Sequence, residues 1–172
     1  VAQVGRDQPA AVAVARTEAL LLEEEPPPRT PEAQQAETWR EGRLLNAGDG
    51  SGQPPREPRL RRAGWAIRYA EDHPWNAGGP LGGQNQVVPR AELRVMYALL
   101  KRLDVPTTNL CDCLGVVRGM QTLLKGGTVV GRDHQDMWAP LEEQVKDDPQ
   151  IGNLWVQKVK AHLAYSATLE GG

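Results

Sequence analysis

Phenylalanine is absent from this 172-residue chain, aromatic residues of all kinds make up 5% of it, and two cysteines occur. Cys111 and Cys113 stand too close in sequence to bridge comfortably within a strand, and there is no second cysteine pair. A disulfide framework and a thiolate zinc site are therefore both disfavoured. Two buried strand thiols are the simpler reading, and a reducing intracellular compartment, cytoplasmic or nuclear, is the expectation. No apolar run approaches the roughly 20 residues that cross a bilayer, and Leu20-Leu21-Leu22 is too short for a signal-peptide core. No membrane partner is expected. The five tryptophans carry most of the aromatic volume. Trp138 and Trp155 read as core rather than as stacking platforms for bases, and Trp75, beside a Gly-rich stretch, as a surface residue.

The formal net charge of −2 is unevenly spread. Residues 1–39 hold three basic side chains (Arg6, Arg16, Arg29) against seven acidic ones, which leaves 17 basic against 15 acidic in residues 40–172. A weakly basic domain behind an acidic leader is compatible with nucleic-acid binding without arguing for it strongly. Ala10 to Glu25 has a short helical pattern that stops at Pro26-Pro27-Pro28, and consecutive prolines make a semi-rigid spacer. Residues 1–38 thus read as an acidic, Pro-rich leader, a partly disordered linker or else a docking segment. Residues 39–172 read as one domain. The start at Val1 rather than Met adds the expectation of a monomeric domain cut from a larger polyprotein, with that polyprotein's other domains as partners.

Leu44-Leu45 leading to Asn46-Ala47-Gly48-Asp49 predicts a strand ending in a carboxylate. Gly50-Ser51-Gly52 then reads as a sharp turn, with unusual φ values at the glycines and room for a backbone or phosphate to come close. Ala63 to Tyr69 predicts a second strand with Trp65, Ile67 and Tyr69 on one face. Asp72-His73-Pro74 reads as a turn, and Trp75 to Gly83 as a Gly-rich third strand. Pro89 to Leu103 predicts a helix with Leu93, Met96, Leu100 and Leu103 on one stripe and Pro89 at its start. A fourth strand over Thr108–Cys113 follows. Further helices are expected over Leu114–Lys125, with Leu114, Val117, Met120 and Leu124 inward, and over Asp133–Lys146, capped by Asp133. Ile151 to His162 is the last strand. The order β-β-β-α-β-α-α-β predicts an α/β fold: a mixed five-stranded sheet, three strands as an antiparallel meander, with helices packed on it.

Three acidic residues then occupy comparable places: Asp49 at the first strand's end, Glu92 in the first turn of the first long helix, and Asp112 near the fourth strand's end. Singly, Asp49 reads as a turn residue and Glu92 as a complement to the helix dipole. Asp112 sits in an apolar run between two cysteines, where an isolated buried charge is costly. If the first and fourth strands are neighbours, all three meet at one sheet edge. Their mutual repulsion is then relieved by a divalent cation, and hard oxygen ligands select Mg²⁺ or Mn²⁺.

These residues, with their flanks, resemble type 1 ribonuclease H. The resemblance rests on Asp49-Gly50-Ser51-Gly52, Arg62-Ala63-Gly64-Trp65-Ala66, Pro89-Arg90-Ala91-Glu92-Leu93 and Cys111-Asp112-Cys113 with Val116-Val117. It continues through Asp136-Met137-Trp138 and Lys158-Val159-Lys160-Ala161-His162, all in the family's order. It implies a ribonuclease H-like fold and an endonuclease that hydrolyses the RNA strand of an RNA–DNA hybrid. Two Mg²⁺ ions, or Mn²⁺ as a substitute, would sit about 4 Å apart, with Asp49 bridging both and Glu92 and Asp112 completing the shell. The backbone at Gly50 and Ser51 and the helix start near Arg90 would sense the 2′-hydroxyl that marks RNA, and His162 would assist attack by water or departure of product. Lys158 and Lys160, alternating along the last strand, read equally as phosphate contacts or as a solvated face.

The chain departs from the family's pattern in several places. Gly48 stands where Thr is usual before the Asp, and Val87-Val88-Pro89 replaces polar residues before the Glu. The segment 126–132 is short, and the family's C-terminal helix with its fourth carboxylate would follow His162, which only ten residues follow here. The leader and the motifs together suggest a retrotransposon-type parent. Two alternatives stay open: a non-catalytic domain of this fold that binds hybrid or protein, and a DNA nuclease of the same superfamily.

Overall fold

The computed structural model describes residues 23–53 and 62–160. His162, the far end of the last predicted strand, the loop through Pro58 and the Leu20-Leu21-Leu22 run lie outside them. The elements are α1 (Pro31–Ala36), β1 (Trp39–Arg40), β2 (Arg43–Gln53), β3 (Arg62–Arg68), β4 (Ala77–Pro80), α2 (Val88–Leu100), β5 (Thr107–Cys111), α3 (Leu114–Leu124), α4 (Gln135–Asp147) and β6 (Leu154–Lys158). A 3-10 turn over Ile151–Asn153 leads into β6.

The strands form one mixed sheet in the order β4-β3-β2-β5-β6, with β1 paired to β2. The β2, β3 and β4 strands are the predicted antiparallel meander. The pairs β2–β5 and β5–β6 are parallel, so each is reached by a crossover. The α2 helix carries the chain from β4 to β5, and α3 with α4 carries it from β5 to β6. This is the mixed α/β layout that the element order predicted, with six strands rather than five. The additional strand, β1, exists because Glu41 and Gly42 both take positive φ (52° and 77°). That two-residue turn folds Trp39 onto Leu44 and Arg40 onto Arg43.

One core holds the helices to the sheet. Leu93, Met96 and Leu99 of α2, Val117 and Met120 of α3, and Met137, Leu141 and Val145 of α4 pack with Leu44, Ile67, Cys111 and Val156. Each such side chain contributes roughly 1.5–3 kcal/mol on burial. Between α3 and α4 the packing needs a glycine, because a Cβ on Gly119 would lie 2.4 Å from the Trp138 ring. Leu114, expected inward, is 45% exposed, since it opens α3 before the helix reaches the core.

Trp75 is buried rather than on the surface (4% exposed). It packs edge-on to Tyr69, its indole N–H donates to the Pro27 carbonyl, and the Arg29 guanidinium lies over its ring. Pro27 and Arg29 belong to the segment 23–38. In that segment Arg29 forks onto Glu37 through Nε (2.8 Å) and Nη2 (3.0 Å), and Glu37 also meets His73 Nε2 at 2.8 Å. His73 is therefore a buried partner of a carboxylate as well as a turn residue. Its Nδ1 accepts from the Trp75 backbone N–H, which leaves Nε2 as the donor to Glu37. Composition alone could not show this, since the acidic and proline residues of the segment find their partners only in the folded domain. Among the described residues no helix is long and apolar enough to cross a membrane.

Candidate metal centre

Asp49, Glu92 and Asp112 each offer an oxygen, and these atoms lie within 4.8 Å of one another. The sheet register accounts for the two aspartates. Parallel pairing of β2 with β5 runs from Leu44↔Thr107 to Ala47↔Leu110 and then stops. Asp49 and Asp112 each lie two residues past that last pair, so they stand level where the strands part. The β2 strand does not end at Asp49 or turn at Gly50. It runs on to Gln53, still paired to β3, with Asp49 opposite Ala66 and Ser51 opposite Gly64. Gly50 and Gly52 are not among the positive-φ residues. The predicted bend is absent because ladder bonds to β3 hold the glycines extended.

What Gly50 supplies is the close approach. A Cβ there would lie 2.8 Å from the Glu92 backbone nitrogen and 3.0 Å from its Cγ. The missing side chain lets α2 rest on β2 and lets Glu92 reach the fork between the strands. Glu92 stands in the second turn of α2, since the helix starts at Val88. The helix start is itself clamped. Arg90 makes a two-pronged pair with Asp136 at 2.8 and 2.7 Å, with His134 Nδ1 3.4 Å away. His134, in a left-handed conformation, is the N-cap residue of α4 and makes no side-chain cap. The capping expected of Asp133 is therefore not found. Met137 and Trp138, next to Asp136, are core.

Electrostatically the cluster is under strain. Glu92 is fully buried. Burial first, and then the Asp112 and Asp49 carboxylates, push its pKa from the ordinary 4.5 up to about 8, while the Gly50 backbone N–H offsets part of the rise. Its Oε1 has no hydrogen-bond partner. Its Oε2 accepts from the Cys111 thiol at 3.6 Å. Burial, and then Glu92, push that thiol's pKa up, and burial raises Cys113 as well. Both cysteines are free. An orphaned buried carboxylate oxygen beside two half-buried carboxylates suits a hard divalent cation, which would satisfy the oxygen and neutralise the repulsion.

The remaining predicted residues are spread around this point. Ser51 is exposed on β2, two residues beyond Asp49, and Lys158 and Lys160 are exposed at and just past the end of β6. Lys158 is level with Cys111 of β5. Arg90 is buried, its guanidinium committed to Asp136. The Arg90–Asp136 clamp and the Cys111 contact were not foreseen. For Cys111 the only sequence signal was its place directly before Asp112.

By sequence, the chain matches no family model and no curated protein. Among solved structures, RNase H1 from the halophilic archaeon Halobacterium salinarum NRC-1 is similar, with a TM-score of 0.44 and 13% identity, over 76% of this chain and 100% of that one.

Proposed function

We propose that this chain is a divalent-cation-dependent nuclease of the ribonuclease H type, hydrolysing the RNA strand of an RNA–DNA hybrid. The observation that carries the reading is the convergence of Asp49, Glu92 and Asp112 from three separate elements, with Glu92 buried and one of its oxygens unpartnered. The hybrid as substrate rests on the motif resemblance. Asp49, Glu92 and Asp112 would hold two Mg²⁺ ions, or Mn²⁺ in their place. Bound cations of this kind supply a water of lowered pKa and neutralise charge on the leaving oxygen.

The chain's own groups do the rest. The parted strands hold the two aspartates level, and the Arg90–Asp136 clamp fixes the helix start that carries Glu92. As the resemblance implies, the backbone at Gly50 and Ser51, with the α2 start at Arg90, would sense the 2′-hydroxyl, and Lys158 and Lys160 would meet phosphates. His162 assists water or product. Cleavage of a labelled hybrid, with Mg²⁺ and then Mn²⁺, tests this. Cutting of the hybrid and not of the matching DNA duplex supports it. Equal cutting of both assigns the chain to the DNA nucleases, and binding of the hybrid without cutting assigns it a non-catalytic role.

A further inference from the structure

The two carboxylate oxygens of Glu92 have different surroundings. Oε2 accepts from the Cys111 thiol at 3.6 Å, and Oε1 has no partner. A buried acceptor left unpaired costs roughly 1–3 kcal/mol, and Glu92 is one of three carboxylates that each offer an oxygen within 4.8 Å of the others. Cys111 is itself fully buried, at the end of β5, and its pairing opposite Lys158 of β6 fixes the direction of its side chain. Its other contact, to the Cys113 carbonyl, is longer at 3.9 Å. A thiol donates weakly, and the Gly50 backbone N–H also acts on this carboxylate, but the Cys111 thiol is the side-chain donor on Oε2.

We propose that Cys111 is a positioning residue of the metal centre. By holding Oε2 of Glu92, its thiol leaves Oε1 to serve as the single oxygen that Glu92 offers a cation. The inference rests on the metal-centre reading above. It goes beyond that reading because it assigns a role to a residue that is not a ligand. Groups that hydrogen-bond a ligating carboxylate from behind typically change metal affinity by about 10–100-fold, and a weak thiol donor belongs at the lower end.

The test is calorimetric titration of Mn²⁺ alone into the full chain and its Cys111→Ala and Cys111→Ser variants, with a thermal melt of each. Alanine removes the donor, and affinity falls about tenfold. Serine restores a donor at the same place, and affinity recovers most of that loss. Both replacements are smaller than cysteine, so a packing defect would appear in both melts, whereas the loss of orientation appears with alanine alone. Cys111→Val, which fills the volume without a donor, takes the place of alanine if that variant does not fold, and is expected to weaken Mn²⁺ likewise. Unchanged affinity in the donor-less variant, or equal weakening in the serine variant, overturns the role of Cys111 and leaves the metal centre standing. A wild-type chain that takes up no Mn²⁺ overturns the metal centre, and this inference with it.

Discussion

Replacing Glu92 with glutamine separates the electrostatic cost of the cluster from its packing. The side chain keeps its shape and loses its charge. In the folded chain the Glu92 carboxyl holds its proton to about pH 8, against an ordinary value of 4.5. Between those values the folded state carries a proton that the unfolded state has released, so metal-free stability falls as pH rises. At about 1.4 kcal/mol per pH unit crossed, the penalty reaches on the order of 3 kcal/mol by pH 7 and about 4 kcal/mol by pH 8. Glu92→Gln escapes it. In chelator, urea unfolding should show the two chains close at pH 5 and the variant more stable by roughly that margin near neutrality. Saturating Mn²⁺ should then narrow the gap, because a cation that binds only the native wild type stabilises it by about 2.7 kcal/mol at a hundred times its Kd. Stability curves that run parallel from pH 5 to pH 8.5 in chelator would refute the argument from burial and repulsion.

Gly50→Ala drives a Cβ against the Glu92 backbone nitrogen. It should cost about 1–3 kcal/mol in a thermal or urea melt and weaken Mn²⁺ binding in the same sample. Glu37→Ala strips the buried partner from Arg29 and His73, and urea unfolding should register a loss of about 3 kcal/mol. An unchanged midpoint would mean that residues 23–38 do not brace the domain. Lys158→Ala should weaken hybrid binding equally for all sequences and lower the salt slope by about 1 in fluorescence anisotropy at several salt concentrations. A sequence-dependent loss would move Lys158 from phosphate to base contact.

Much of this arrangement was legible in the chain. Helical periodicity marked α2 through Leu93 and Met96, and α4 through Met137, Leu141 and Val145, because a 3.6-residue repeat of apolar side chains has one economical burial. The alternation of Trp65, Ile67 and Tyr69 marked β3, although the strand stops at Arg68, and turn residues separated the meander strands. The three carboxylates were nameable one by one. Local rules misread Gly50-Ser51-Gly52 as a turn, since glycine's freedom is the same whether it bends a chain or admits a neighbour. They also put Trp75 outside and left His73 with only a turn to explain it, because the residues that bury both, Pro27, Arg29 and Glu37, lie more than thirty positions earlier.

The centre itself belongs to the tertiary structure. A strand's residues state which side chains share a face, but not which strand lies alongside or where that pairing stops. Asp49 and Asp112 become neighbours only because β2 and β5 pair in parallel in one register and then part after Ala47 and Leu110. Glu92 joins them only because α2 settles onto the bare backbone of Gly50. Burial raises its pKa to about 8 and exposes Oε1 to no donor, and burial is a property of the packed whole. The residue types were written along the chain, whereas their distances and desolvation came from elements far apart in sequence being pressed together.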